Sequence, residues 1–273
     1  MEGAERPVWA PDEVDLTKPS VARVYDYYLG GSHNFAVDRA FAAKVLEAMP
    51  DLPKHAQENR AFLRRAVRAL VAEGIDQFID LGSGIPTVGN VHEVAQALNP
   101  DARIAYVDWD PVALAHSRAI LADNPNATVV AGDLRRPAEL LDDPALRQAV
   151  DLSRPVAVLI VSVLHFVPDD EKPEEIVATM AQHVAPGSFV VISHASNDRS
   201  GQPDQADKAE EIYNRTASPF RMRDRHEIAA LFGELELVDP GVVQMPLWRP
   251  DSPEDVGPDA ATYPGFAGVA RIR

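Results

Sequence analysis

Apolar and polar positions recur along this chain with two different periods, and the changes of period mark out its elements. Residues 1–19 are polar and proline-rich and predict a flexible arm. From Ser20, a candidate N-cap, Val21, Val24, Tyr25, Tyr28 and Leu29 fall at i, i+3, i+4, i+7 and i+8. That is one apolar helical face, which Gly30-Gly31 would close. After the turn Ser32-His33-Asn34, helices are predicted over 38–49 and 54–72, the latter stopping at Gly74.

Short apolar runs then take over at 78–81, 104–107, 128–131, 156–161, 189–193, 235–238 and 266–272, and each predicts a strand. Helical patterns separate most of them. Asn90 with Glu93 makes a capping box ahead of Val91, Val94, Ala95 and Leu98, and Asp110-Pro111 sets an N-cap and an N1 proline before a helix toward Leu121. Asp169 or Asp170 would open a helix to about residue 184, and another is predicted over 224–232. A polar excursion at 195–220 carries one charged helix near 205–215, and a proline-rich loop spans 245–264. Strands alternating with helices imply an α/β fold, a doubly wound, mostly parallel sheet of seven strands. Residues 20–74 form a helical cap, and 75–273 form the core, with 195–220 as an insertion.

Composition narrows the function. The net charge of −16 argues against nucleic acid or an anionic membrane as the main partner, since both attract a basic face. The chain has no cysteine, which removes disulfides and thiolate metal sites, and its eight histidines show no HxxxH or HxH spacing, so no metal is expected. No run approaches the ~20 apolar residues of a membrane span, and the first thirty residues lack a signal peptide's pattern, so a cytoplasmic location is expected.

The candidate chemistry gathers at Phe78-Ile79-Asp80-Leu81-Gly82-Ser83-Gly84-Ile85-Pro86-Thr87, an apolar strand that ends in an acid and a glycine turn. Such a turn lets a cofactor approach the backbone, and it suits either a dinucleotide or S-adenosylmethionine; a bare tight turn would also favour glycine. Acids recur at successive strand ends, Asp80, Asp108 and Asp133, where an open parallel sheet lines its crevice. An acid after the second strand can accept hydrogen bonds from ribose hydroxyls, and an acid with backbone groups after the third can read an adenine amine. Pro86 and Thr87 stand where a dinucleotide loop wants free N–H groups and a third glycine, which favours a cofactor without phosphate. A sulfonium also favours aromatic and carboxylate walls, which Tyr25, Tyr28 and Phe35 could supply on the aromatic side. A cofactor carboxylate needs a cation, and Arg23 and Arg60 are the candidates, although a solvated helix face explains Arg60 and its neighbour Asn59 as simply. His165, after the fourth strand, is a candidate general base or a structural histidine, with His33 and His194 as weaker alternatives.

The chain resembles the class I S-adenosylmethionine-dependent methyltransferases. From about residue 19 to the C-terminus it is similar to a bacterial group of S-adenosyl methyltransferase proteins of unassigned substrate. The resemblance is carried by Ala22-Arg23-Val24-Tyr25-Asp26-Tyr27-Tyr28-Leu29-Gly30-Gly31, His33-Asn34-Phe35, Glu58-Asn59-Arg60-Ala61-Phe62-Leu63, residues 77–87, Tyr106-Val107-Asp108-Trp109-Asp110-Pro111, residues 159–167 and Trp248-Arg249-Pro250. It departs from the broader superfamily at Pro86, where many members carry a third glycine. The resemblance implies a Rossmann-like αβα sandwich with its last strand antiparallel. It also implies S-adenosyl-L-methionine as cofactor, S-adenosyl-L-homocysteine as product, and a small-molecule acceptor attacking through O or N. On it, Asp80, Gly82, Ser83 and Gly84 would contact the methionine moiety and ribose, and Asp108 the ribose hydroxyls. Trp109 would flank adenine, Asp133 and Leu134 would read its edge, and Tyr25, Gly30, Asn34, Arg60 and Ser162 would complete the cofactor site. The run from Val161 through Val167 would lie beneath the sulfonium. Two alternatives stay open at this point: a non-catalytic protein that binds the same cofactor, and an NAD-dependent oxidoreductase.

Overall fold

In the computed structural model, residues 14–86, 89–198, 203–214 and 219–273 are described. Most of the predicted arm, Thr87, Arg215 and parts of the 195–220 insertion lie outside them.

Three helices come first: α1 (Val21–Tyr28), α2 (Ala36–Ala48) and α3 (Leu52–Ala72). The core follows as β1 (Gln77–Leu81), α4 (Val91–Leu98), β2 (Arg103–Asp108), α5 (Pro111–Ile120) and β3 (Ala127–Ala131). Next come α6 (Pro137–Asp142), α7 (Pro144–Ala149), β4 (Ala157–Val161), α8 (Pro173–Gln182) and β5 (Phe189–Ala195). The last elements are α9 (Pro203–Asn214), α10 (Arg225–Ala230), β6 (Glu236–Leu237), β7 (Val243–Gln244) and β8 (Gly265–Arg271). The sheet runs β3-β2-β1-β4-β5-β8-β6. Its first five strands are parallel, and β8 is antiparallel to β5 and β6. The seven predicted strands are joined by an eighth, the two-residue β7, which pairs with β8.

Alternation along each strand builds a core on both faces. Ile79, Leu81, Val107, Ile160 and Ile192 pack against Leu140, Leu146, Ile176 and Met180 on one side. Phe78, Ile104, Leu159 and Val191 pack against Phe62, Val67, Leu70 and Val91 on the other. Burying each such large side chain contributes about 1.5–3 kcal/mol. Phe62 meets the buried Trp248 edge to face at 5.4 Å, which ties α3 to the C-terminal loop.

The cap is anchored by charge as well as by apolar contact. Arg23 on α1 is buried, and its guanidinium reaches Asp38 on α2 at 2.9 Å, Asp110 at 3.3 Å and the Lys18 carbonyl at 2.7 Å. Ser20 stands at the N-cap of α1 as predicted, but its hydroxyl donates to Asp110 and makes no cap bond. Asp110 in turn caps α5, accepting from Val112 and Ala113. Helix α1 is therefore bolted to the element that follows β2, which sets the cap beside the carboxyl edge of the sheet. Ahead of it, Val14 is buried among Phe35, Ile85 and Val112. At its other end Gly31 N–H donates to Asp26 O (2.8 Å) and Gly30 N–H to Tyr27 O (3.0 Å), a Schellman ending with Gly30 at φ +78°.

Three expectations need correction. The predicted helix from Asp169 or Asp170 starts later, at Pro173, after a short 3₁₀ turn over Asp169–Glu171 and a left-handed Lys172 (φ 51°). The Asp169 carboxylate is engaged instead by Arg223 at 2.6 Å. Helices α6 and α7 were not expected, although Pro137 and Pro144 open them and Asp143 caps the second through Ala145 and Leu146. Helix α4 begins only at Val91, with Glu93 accepting from Asn90 N–H at 2.7 Å. Pro86 thus stands ahead of the helix and not at its entry, so its missing N–H says nothing about what that helix could bind.

Candidate active site

The carboxyl ends of β1, β2, β3 and β4, together with α1 and α3, enclose a groove of about 340 Å³. Its floor starts at the glycine turn. Gly82 has φ +69°, and a β-carbon there would lie 2.5 Å from Val163 Cγ2, so the position requires glycine twice over. Gly82 and Ser83 N–H both donate to Val107 O, at 2.8 and 3.1 Å. Gly84 N–H, at φ +67°, donates to Asp108 Oδ2 at 2.7 Å, while Trp109 and Asp110 N–H hold Oδ1 at 2.8 Å each. The Asp108 carboxylate is therefore fixed in place by backbone donors. Even so, burial pushes its pKa up to about 6.

Asp80 is buried beside it and accepts no hydrogen bond from the described residues. Burial pushes its pKa up to about 7, with Arg60 pulling it down and Asp108 adding to the rise. Arg60 faces the same groove. One terminal nitrogen donates to Gly89 O (3.3 Å) and Asn90 Oδ1 (3.0 Å), and its buried Nε has no partner among the described residues. A buried carboxylate and a guanidinium that line one groove suit a ligand that carries both signs of charge.

These raised values have a pH consequence. In the ligand-free protein the two carboxyls favour their neutral forms, so the stability they contribute is full below about pH 4 and is lost as pH rises through 6 and 7. A ligand whose cation and hydroxyls prefer ionised carboxylates should bind more tightly as pH rises through that window and should expel protons below it. Calorimetric titration with S-adenosylhomocysteine, the ligand that the sequence resemblance implies, should show net proton release at pH 6 in buffers of different ionisation enthalpy. Heats independent of buffer would contradict the assignment.

At the outer end of the groove, Trp109 is 62% exposed and lies under the Arg135 guanidinium at 5.2 Å. Arg135 also pairs with Asp133 at 2.6 Å. Partial burial pushes the Asp133 carboxyl up, but the Arg135 bonds outweigh it and hold the group below the usual range. Leu134 completes this end. At the inner end Ser162 adopts φ +58°, an uncommon conformation for a residue with a β-carbon, and its N–H donates to Ser193 Oγ at 3.0 Å and to Ser193 O at 3.1 Å.

The groove thus brings together Tyr25, Arg60, Asp80, Gly82, Ser83, Gly84, Asp108, Trp109, Asp133, Leu134 and Ser162. Gly30 and Asn34 do not line it. Gly30 ends α1, and Asn34 donates to Asp26 (2.8 Å) and Gly31 O (2.9 Å) and accepts from Arg39 on α2 (3.1 Å), so both shape the turn between α1 and α2. Arg23 is committed to Asp38 and Asp110 and cannot serve a ligand carboxylate. Phe35 lies under Arg23 at 5.1 Å, away from the groove, and His33 packs against His116 at 3.8 Å.

A second, smaller chamber of about 90 Å³ adjoins the groove and shares Val21, Tyr25, Asn59, Ser162 and Phe166 with it. The boundary is held by a chain of hydrogen bonds. Asn59 donates to Tyr25 Oη (2.9 Å) and accepts from Ser193 Oγ (2.6 Å), and Tyr25 donates onward to Ala56 O (3.2 Å). His165 and Tyr28 line the chamber, not the groove. Burial, with His194 and Arg223 nearby, pushes the His165 pKa well below the ordinary imidazole value. Its Nδ1 accepts Ala195 N–H at 3.4 Å, which leaves the ring proton on Nε2. That is the arrangement of a hydrogen-bond donor, not of a general base. His194 is spoken for: Arg223 donates to its Nε2 at 2.8 Å, and Nδ1 bonds Ala195 O at 2.6 Å, while burial pushes its pKa down to about 3.

Several residues of this site escaped the sequence. Arg223 buries its charge against Asp169, Leu164 O and Val167 O behind His165, and nothing in its exposed-looking RMRD context marked it. Tyr213 and Phe220 were more legible, as aromatics standing in an otherwise polar excursion.

Known proteins share this fold. A Thermobifida fusca YX structure described as a candidate methyltransferase is 44% identical, with a TM-score of 0.91, and the match covers 98% of this chain and 100% of that one. A duf574 family protein from Streptomyces avermitilis MA-4680 is 35% identical, with a TM-score of 0.89, over 95% of this chain and 99% of that one. Human N-acetylserotonin methyltransferase, in complex with SAM, is 13% identical with a TM-score of 0.50 over 93% of this chain and 63% of its own, a likeness of fold alone. Ribosomal RNA small subunit methyltransferase H of Halorhodospira halophila is 38% identical over 63 residues, so the chain matches 23% of its own length to 19% of that relative's. The family described as S-adenosyl methyltransferase matches residues 7–273, and the chain belongs to that family, the S-adenosylmethionine-dependent methyltransferases.

Proposed function

We propose that the groove holds S-adenosylmethionine and that the adjoining chamber holds its methyl acceptor, a small molecule reacting through oxygen or nitrogen. The observation that carries this is that the Asp80 carboxylate and the Arg60 guanidinium line the same groove, opposite charges that suit the ammonium and carboxylate of one amino-acid moiety. Bound there, the cofactor supplies a methyl group on a positively charged sulfur.

The chain's own residues supply position and polarity. Asp108 accepts the ribose hydroxyls, Asp133 and Leu134 read the adenine edge, and Trp109 flanks it. Asp80 and the turn Gly82-Ser83-Gly84 hold the methionine and ribose, and Arg60 takes the carboxylate. Tyr25 and Ser162 stand between the two cavities. His165 donates from Nε2 to the acceptor and aligns it, and methyl transfer can proceed largely on such positioning. The cap, the 195–220 excursion and the 245–264 loop all contribute walls to the chamber, through Tyr28, Tyr213 and Tyr263 among others. That supports an enzyme over a protein that only binds the cofactor. The charge of −16 and the narrowness of the chamber favour a small metabolite over nucleic acid, and a cytoplasmic location belongs to the same proposal.

His165→Ala tests the arrangement. Turnover should fall by about ten-fold or more, with S-adenosylhomocysteine affinity unchanged, and the wild-type pH–rate profile should show no histidine step near pH 6.5. A His165-dependent inflection at that pH would return the residue to the role of base.

A further inference from the structure

We propose that the chamber is built for a neutral, single-ring hydroxyaromatic compound whose oxygen accepts a hydrogen bond from His165 Nε2. The inference rests on the cofactor assignment of the groove, and it concerns recognition of the acceptor.

Size sets the first limit. At about 90 Å³ the chamber is smaller than the ~150 Å³ cavity that takes up a benzene molecule, so it admits nothing larger than one ring, and even a single ring must reach past it toward the side shared with the groove. Charge sets the second. No Asp, Glu, Lys or Arg side chain lines the chamber among the described residues, so a carboxylate or ammonium entering it would lose water and find no counter-ion. The walls set the third. Phe220 stacks on Tyr213 at 4.8 Å and stands edge-on to His165 at 5.1 Å, and Phe166 tilts against Phe220 at 5.4 Å. A ligand ring extends this set of faces and edges, and the Met49, Met222 and Met245 side chains give it polarisable sulfur contacts. An aliphatic ring of equal size gains only area.

Among the polar groups that line the chamber, Asn59 and the Tyr28 and Tyr213 hydroxyls are engaged with protein partners, and His165 offers a ring N–H. Its Nδ1 is taken by Ala195 N–H, and its Nε2 finds no partner among the described residues. A buried N–H of this kind discriminates strongly for a ligand that offers an acceptor atom, because a ligand without one leaves the donor unmatched. Asn59, fixed by Tyr25 and Ser193, lies on the boundary shared with the groove, and an oxygen placed at that side of the chamber is the atom set toward the cofactor.

The test uses the full chain saturated with S-adenosylhomocysteine and follows phenol, benzoate, benzylamine, cyclohexanol and toluene by ligand-observed NMR and calorimetry. Phenol should bind saturably and at least ten-fold more tightly than each of the others. Ala56→Phe, which fills the chamber from α3, should abolish phenol binding while S-adenosylhomocysteine affinity reports that the fold survives. His165→Ala should bring phenol down to the level of toluene and leave toluene unchanged. Equal affinity for all five probes, preference for a charged probe, or phenol binding that survives both substitutions would overturn the inference with the groove assignment intact. Failure of S-adenosylhomocysteine itself to bind would overturn the groove assignment, and the inference with it.

Discussion

Asp108→Ala is expected to weaken S-adenosylhomocysteine binding by about 1.5–3 kcal/mol, roughly ten- to 150-fold, because hydrogen bonds to a buried charged acceptor fall in that range. The wild-type carboxylate is held by three backbone N–H donors from Gly84, Trp109 and Asp110, all within 2.8 Å. They aim it before any ligand arrives, so binding does not have to order it. Removing the carboxylate leaves those donors to water as well as leaving ribose hydroxyls unmatched, and Gly84 loses the contact that shapes its turn. Calorimetry on the variant measures the change, and a thermal melt separates it from unfolding. An affinity within two-fold of wild type would remove Asp108 from the cofactor site.

Arg23→Ala should cost about 3–5 kcal/mol of folding stability, the range found when one member of a buried ion pair is removed. Arg23 is 4% exposed, and its partners Asp38 and Asp110 are 0% and 8% exposed, so the substitution strands two carboxylates in the interior. Urea unfolding should show the loss as a lowered midpoint. Cofactor affinity should fall as well, since α1 carries Tyr25 into the groove wall. Adding Asp38→Asn should recover part of the stability, because one of the stranded charges is then gone. A midpoint unchanged by Arg23→Ala would mean that the cap is held by its apolar contacts alone.

The parts of this molecule that were legible in the sequence are those whose signal is local. The capping box at Asn90 and Glu93, the Asp110-Pro111 entry and the run Val156 through Val161 each state their structure within a few residues, and the elements lie there within a residue or two. The acids at the strand ends were legible for the same reason, because a parallel sheet delivers every carboxyl-terminal end to one edge. What failed was long-range. Arg23 reads on its own as a cation free to meet a ligand, and only the packing of α1 on α2 and α5 shows that Asp38 and Asp110 have already taken it. Asp169 reads as an N-cap, and Arg223, 54 residues later, pulls it away. His165 reads as a base until Ala195, His194 and Arg223 gather round it and fix its proton on Nε2. Pro86 looked like evidence about a helix entry, yet the capping box at Asn90 and Glu93 already put that entry at Val91. The cofactor assignment survives the loss of that clue, since it stands on the groove and on the family.

The central claim is that groove and chamber meet at the sulfur of the cofactor. A crystal structure of the full chain with S-adenosylhomocysteine tests it most directly. The expected density places adenine between Trp109 and Leu134, the ribose on Asp108, and the amino-acid end on Asp80 and Arg60. The sulfur should then sit at Tyr25 and Ser162, facing the chamber that holds His165. Density with the molecule reversed, with its sulfur turned to solvent, or bound outside the groove would contradict the account.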